Sequence, residues 1–201
     1  MTSVLALLAG LYAAQAAGPN GFYDMCAVTA AECQPVAATR SLGFDEIDRI
    51  NRAVNGEIRP VVEPEGKDVW LLAPSEGDCD DYVMTKRHRL IAAGLGSDEA
   101  RVAVGVAKGQ LHAVLVVRLG PEFYVLDNLT DEMLPVERSD VHILTVQSPA
   151  NPRDWLKAPG RRWRRGGREA LFLAQALAYN RLRFRPRETG NGPSLRPCRP
   201  R

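Results

Sequence analysis

The hydrophobic periodicity of this chain changes once, near residue 100, and that change limits the folds open to it. Before it, apolar residues recur at helical spacing. Phe44, Ile47, Ile50 and Val54 fall three and four residues apart, and Gly56 supplies a stop, which predicts a helix over Ser41–Asn55. A second helix is predicted from Cys79 or Asp80 to Ala93, with aspartates at its start and Gly94 at its end. Within it, Lys86-Arg87-His88-Arg89 reads as a solvated charge run. Between the helices, Pro60, Pro64, Gly66 and Pro74 break up Glu57–Pro74.

After the change, side chains alternate or turn β-branched. Arg101–Ala107, Gln110–Leu119, Glu122–Leu126 and Val141–Gln147 read as strands, with Gly109 and Gly120-Pro121 as punctuation. Helices first and an antiparallel meander afterwards predict an α+β domain rather than a doubly wound sheet. The 201 residues suffice for one such domain with tails, and no internal repeat is present.

Charge divides the chain. From residue 161 on, twelve arginines face only Glu169 and Glu188, a net of +10, which leaves −8 for residues 1–160. The Arg161–Arg165 run contains a single aromatic residue and belongs to no recognised nucleic-acid motif, so it reads as a solvated extension with no nucleic-acid partner expected. Arg168–Leu182 is expected to form one more helix, and the Arg-, Pro- and Gly-rich stretch beyond Arg183 to be disordered. At the other end, the apolar run Val4–Ala14 is too short for a bilayer span of about 20 residues. It is followed by Ala14-Gln15-Ala16, the pattern of a secretory cleavage site near Ala16 or Ala17, although a basic leader is missing. The expected organisation is a signal peptide at 1–17, a domain at 18–160 and a basic extension at 161–201, in a periplasmic or secreted protein with no transmembrane segment. In an oxidising compartment Cys26 and Cys33, in a loop-like stretch, could close a small loop; in a reducing one they would be free thiols. Cys198 lies in the basic extension, with no structural role expected.

Cys79 stands in another setting. In Glu76-Gly77-Asp78-Cys79-Asp80-Asp81-Tyr82 it occupies the junction of a Gly-containing turn and a helix. Unpaired backbone N–H groups and the positive helix end favour a thiolate there, and the same amides suit an oxyanion. A base must then come from a distant segment. His88 is half a turn out of phase with Cys79 on the same helix, and His142 is an exposed strand-end residue. His112 opens an apolar strand, where a polar ring needs a partner. If that strand pairs with the next through Gly120-Pro121, His112 and Asp127 fall near the same end, and the carboxylate can orient the imidazole.

These blocks, with His112-Ala113-Val114-Leu115, Leu126-Asp127-Asn128-Leu129, Trp70, Pro74 and Asn151-Pro152-Arg153-Asp154-Trp155, resemble the bacterial transglutaminase-like cysteine peptidases, among them the periplasmic LapG-type proteases. The likeness runs from about Phe44 to Trp155. It departs at Asp80, where the family usually has Glu. The resemblance implies a papain-like or transglutaminase-like core, with the nucleophile at a helix N-terminus packed on an antiparallel sheet. It also implies a Cys79–His112–Asp127 triad, paired cysteines such as Cys26 and Cys33 near the mature N-terminus, and a role for Trp70 over the cleft or at the oxyanion.

Asp78, Asp80 and Asp81 crowd the proposed nucleophile and should oppose thiolate formation, which a bound cation would offset. Their oxygens suit Ca²⁺, as the resemblance also implies, and the expectation is Asp78 with Asp80 or Asp81 as ligands. The Cys and His spacing matches no zinc site, and no organic cofactor is expected. The function expected is a cysteine endopeptidase acting on a protein or peptide substrate. The same triad would serve a transglutaminase-type acyltransferase or amidase, and a non-catalytic interaction module with a basic tail is the rival of another class. Nothing in the chain specifies an oligomeric state.

Overall fold

The computed structural model describes residues 15–64 and 66–158. The leader expected at Val4–Ala14, the helix expected at Arg168–Leu182, the Arg161–Arg165 run and Cys198 lie outside the described residues. The elements are β1 (Gln15–Ala16), α1 (Asn20–Val28), α2 (Phe44–Glu57), β2 (Arg59–Pro60), β3 (Glu76–Gly77), α3 (Cys79–Ala92), β4 (Ala100–Ala107), β5 (Gln110–Leu119), β6 (Glu122–Leu126), β7 (Leu134–Pro135), β8 (His142–Gln147) and β9 (Trp155–Lys157). Single 3₁₀ turns cover Ala30–Cys33 and Val136–Arg138.

Seven strands form one antiparallel sheet in the order β1-β9-β8-β4-β5-β6-β7, while β2 and β3 make a small parallel pair. The sheet is therefore not a simple meander. After β7 the chain crosses back and β8 pairs with β4, with a register shift between Val104 and Gly105. A Cβ on Gly105 would lie 2.5 Å from the His142 carbonyl oxygen, so a side chain there would force these two strands apart. β1 consists of Gln15 and Ala16, immediately around the cleavage expected near Ala16 or Ala17, and pairs them with Leu156 and Trp155.

The core lies on both sheet faces. Val102, Val104, Ala113, Leu115 and Val117 join α3 and α1 residues such as Val83, Met84 and Phe22 in one cluster. Ala103, Val114, Val116 and Val125 form the other, with Val136, Val141 and Ile143. β5 is buried on both sides, which is why it reads as an unbroken apolar run. Two expectations are corrected here. Cys26 lies in a helix and Cys33 in a 3₁₀ turn, not in a loop, and the two are joined in a disulfide. Lys86 and Arg87 are not solvated but fully buried. Arg87 donates to the carbonyls of Glu32 and Ala100, tying α3 to the disulfide-bearing segment and to β4.

Candidate active site

The start of α3 is built by its own sequence. Gly77 precedes it, and Asp81 in the first turn reaches back to accept the Asp78 N–H at 3.1 Å. A Cβ at Gly77 would lie 2.2 Å from Asp81 Oδ2, so this turn closes only on a glycine. The other oxygen of Asp81 accepts the Leu71 N–H at 2.7 Å, and Thr85 one turn later accepts that of Ala73 at 2.9 Å. Asp81 and Thr85 thus hold the irregular 71–73 segment against α3, with Cys79 buried at the helix N-terminus.

β5 delivers the other partners. Its ladder with β6 ends at the Leu115–Leu126 pair, two residues short of Ala113. Into the gap comes Cys79, whose Sγ accepts the Ala113 N–H at 3.4 Å. His112, the preceding residue, is 2% exposed, and its Nε2 lies 2.7 Å from Asp127 Oδ1. The same oxygen accepts the Leu129 N–H at 3.0 Å. The structure therefore brings Cys79, His112 and Asp127 into one buried locus. Burial works to raise the Asp127 carboxyl, but the His112 hydrogen bond and charge, the Leu129 N–H and the charge of Lys86 outweigh it and hold it below the usual carboxylate range. An ionised Asp127 favours the tautomer that carries the proton on Nε2. Cys79 is itself disulfide-bonded in the structure, so a free thiol at this position belongs to the reduced protein.

The three acids differ in their engagement. Asp78 and Asp80 each bury one oxygen, Oδ1, with no hydrogen-bond partner among the described residues. One ligand atom from each, with the sulfur of Cys79, lies within 4.8 Å of the others. Burial pushes the Asp80 carboxyl well above its usual range, and repulsion from Asp78 and Asp81 adds to the shift. Burial also raises Asp78, and brings Asp81 to about 7. Both oxygens of Asp81 already accept backbone N–H groups, so Asp78 and Asp80 are the carboxylates with capacity to spare.

Trp70 is 3% exposed and packs edge-on to Phe22, and its indole N–H donates to Asp68 Oδ1 at 2.8 Å. That donor is directed to a carboxylate and not toward an oxyanion. Asp68 accepts the Gly21 N–H as well, so the pair joins α1 to the site's rim. His88 pairs at the surface with Glu32, and His142 is exposed at the start of β8. Beside the site opens a cleft of about 500 Å³, lined among others by Asn55, Asp78, Tyr82, Asn128 and Thr130. Sequence reasoning missed Asn51, Asn55 and Lys86 around Asp127. The asparagines lie one turn apart on α2, Asn51 on the buried face with Ile47 and Val54 and Asn55 half-buried, and as polar residues in a helix they carried no signal, while Lys86 was concealed by its charged neighbours.

The sequence profile of the family described as bacterial transglutaminase-like cysteine proteinase (BTLCP) matches residues 12–162. Among solved structures, calcium-bound LapG of Legionella pneumophila is similar, with a TM-score of 0.50 and 24% identity over 67% of this chain and 76% of that one. Another LapG structure from the same organism gives 0.49 and 24%, over 56% of this chain and 66% of that chain, just under two thirds of its length. The EGTA-treated form gives 0.48 with the same identity. At this identity the likeness speaks for the fold alone. No curated protein matches the chain.

Proposed function

The chain belongs to the bacterial transglutaminase-like cysteine proteinases, and on that premise we propose that it is an endopeptidase cleaving a secreted or periplasmic protein through Cys79, His112 and Asp127. The observation that carries this reading is the convergence near the start of β5, with His112 Nε2 2.7 Å from Asp127 and the adjacent Ala113 N–H 3.4 Å from Cys79 Sγ. His112 Nδ1 takes the thiol proton, and the thiolate attacks the scissile carbonyl carbon. The developing oxyanion is stabilised by N–H groups at the start of α3. Collapse of the adduct breaks the C–N bond as the imidazolium protonates the leaving amine. Water, deprotonated by His112, then releases the acyl group and restores the thiol. The cleft beside Asp78 and Asn128 provides room for an extended peptide. The Cys26–Cys33 disulfide supports residence in an oxidising compartment.

The similar LapG structure is calcium-bound, and the residues here fit that ion. Asp78 and Asp80 supply hard oxygen donors, each with a buried oxygen that has no hydrogen-bond partner among the described residues. They would hold the ion, which would supply positive charge to offset their mutual repulsion next to Cys79. Asp81 would keep its structural role at the helix start.

The test compares wild type with Cys79→Ala in the native host, with periplasmic and extracellular proteins examined for a species whose processing is lost. A single processed protein that accumulates uncut in the variant is the expected result. Identical profiles, together with alkylation of reduced Cys79 by iodoacetamide no faster than that of an ordinary thiol, would refute the assignment.

A further inference from the structure

After Leu126 the chain leaves the sheet, and until β7 no strand ladder holds its backbone, yet this stretch carries Asp127. Its carbonyls are held from below. Lys86 Nζ donates to the Asp127 carbonyl at 3.0 Å, and Asn55 Nδ2 donates to the same oxygen at 3.1 Å. The Asn55 amide also reaches the Thr130 carbonyl at 3.1 Å and Asp131 Oδ1 at 2.8 Å. One turn back on α2, Asn51 donates to the Asp131 carbonyl at 3.0 Å. Two helices thus direct three side chains onto one five-residue segment.

Resting on the reading of Asp127 as the residue that orients His112, we propose that Lys86, Asn55 and Asn51 are positioning residues for catalysis, a clamp that fixes the Asp127 turn and so holds its carboxylate on the imidazole. Lys86 is the telling member. It is 0% exposed and makes no ion pair among the described residues, a situation lysines rarely occupy. A methionine would fill the same space without burying a charge. What only the amino head group provides is a hydrogen-bond donor to the Asp127 carbonyl from within the core. With that carbonyl held by two donors and the Asp127 side chain by His112 and Leu129, rotation of the turn would break bonds on both sides.

A double-mutant cycle on the full-length reduced protein tests the clamp, with the rate of Cys79 alkylation by iodoacetamide at pH 7 as readout, resolved from Cys198 by peptide mass mapping. The downfield proton signal of the His112 ring N–H facing Asp127 is followed in parallel by NMR. Lys86→Met is expected to slow alkylation about tenfold in the wild-type background and less than about twofold in Asp127→Ala, the pattern of residues acting as one unit. The downfield signal should disappear in Lys86→Met. Equal slowing in both backgrounds, or an unchanged rate with the signal retained, overturns the clamp alone. An Asp127→Ala protein as reactive as wild type overturns the triad and the clamp with it. If Lys86→Met does not fold, the half-buried Asn55→Ala decides by the same two criteria.

Discussion

Replacing Asp127 by Asn and by Ala separates charge from orientation, because the structure shows how the side chain is held. Oδ1 accepts from His112 Nε2 at 2.7 Å and from the Leu129 N–H at 3.0 Å, so an asparagine places its carbonyl oxygen at that position and keeps both bonds. What it loses is the charge assistance. A hydrogen bond to a charged group contributes about 1.5–3 kcal/mol and a neutral one about 0.5–1.5, a difference of about 1.5 kcal/mol. That corresponds to roughly tenfold less thiolate–imidazolium pair, and a roughly tenfold slower alkylation of reduced Cys79 at pH 7. Alanine removes the bond to His112 altogether and leaves the ring N–H without its buried partner, a loss of about 3–4 kcal/mol or several hundredfold. The assay is the second-order rate with iodoacetamide for the three proteins side by side, with circular dichroism to establish that each is folded. The graded order Asp, Asn, Ala is the expected result. An asparagine variant as slow as the alanine variant would refute the reasoning, since it would mean that Oδ1 is not the atom through which Asp127 acts.

Further outcomes follow from other parts of the structure. Adding Ca²⁺ to EGTA-treated protein should raise the melting temperature, by about 5–10 °C at a hundredfold excess over Kd, and Asp80→Asn should abolish the shift in a thermal scan. Burial lowers the Lys86 ammonium from 10.5 to about 7. The unfolded chain therefore binds the proton more tightly between those values. Stability to urea should rise with pH through that window, and Lys86→Met should remove the slope. The Cys26–Cys33 bridge closes a loop with a sequence separation of 7, and Cys26→Ala with Cys33→Ala should cost about 2.5 kcal/mol, read as a lower urea midpoint.

Much of the fold was legible because its signals are local. The apolar step in Phe44–Val54, the stop at Gly94 and the β-branched run of β5 each name an element without reference to the rest of the molecule. The return of β8 to β4 was not, since strand order depends on long-range packing. What does record it locally, the absence of a Cβ at Gly105, has no meaning until His142 is seen beside it. α1 was missed because its nine residues have no clear apolar stripe and no side-chain cap, and the helix is held by Phe22 packing on Trp70 and Trp155. In the site, Cys79, His112 and Asp127 could be singled out because a thiol at a helix start, an imidazole in an apolar strand and a carboxylate at a strand end are each chemically out of place. Lys86 is equally out of place, but a charged residue among charged residues reads as surface. Asp81 and Asp80 are adjacent and identical in type, so only the hydrogen bonds to Leu71 and Asp78 distinguish a structural acid from a candidate ligand.

The pairing of β1 with β9 has a topological outcome. Because Gln15 lies opposite Leu156, the end of β9 stands next to the start of β1, and a short loop could join Lys157 to Gln15 without disturbing the sheet. New ends opened at Gly120, at the exposed turn between β5 and β6, would give a circular permutant. In it Asp127 comes first along the backbone, Cys79 second and His112 last. A catalytic constellation depends on where its atoms lie, not on the order of synthesis, so the rearranged chain should assemble the same three groups.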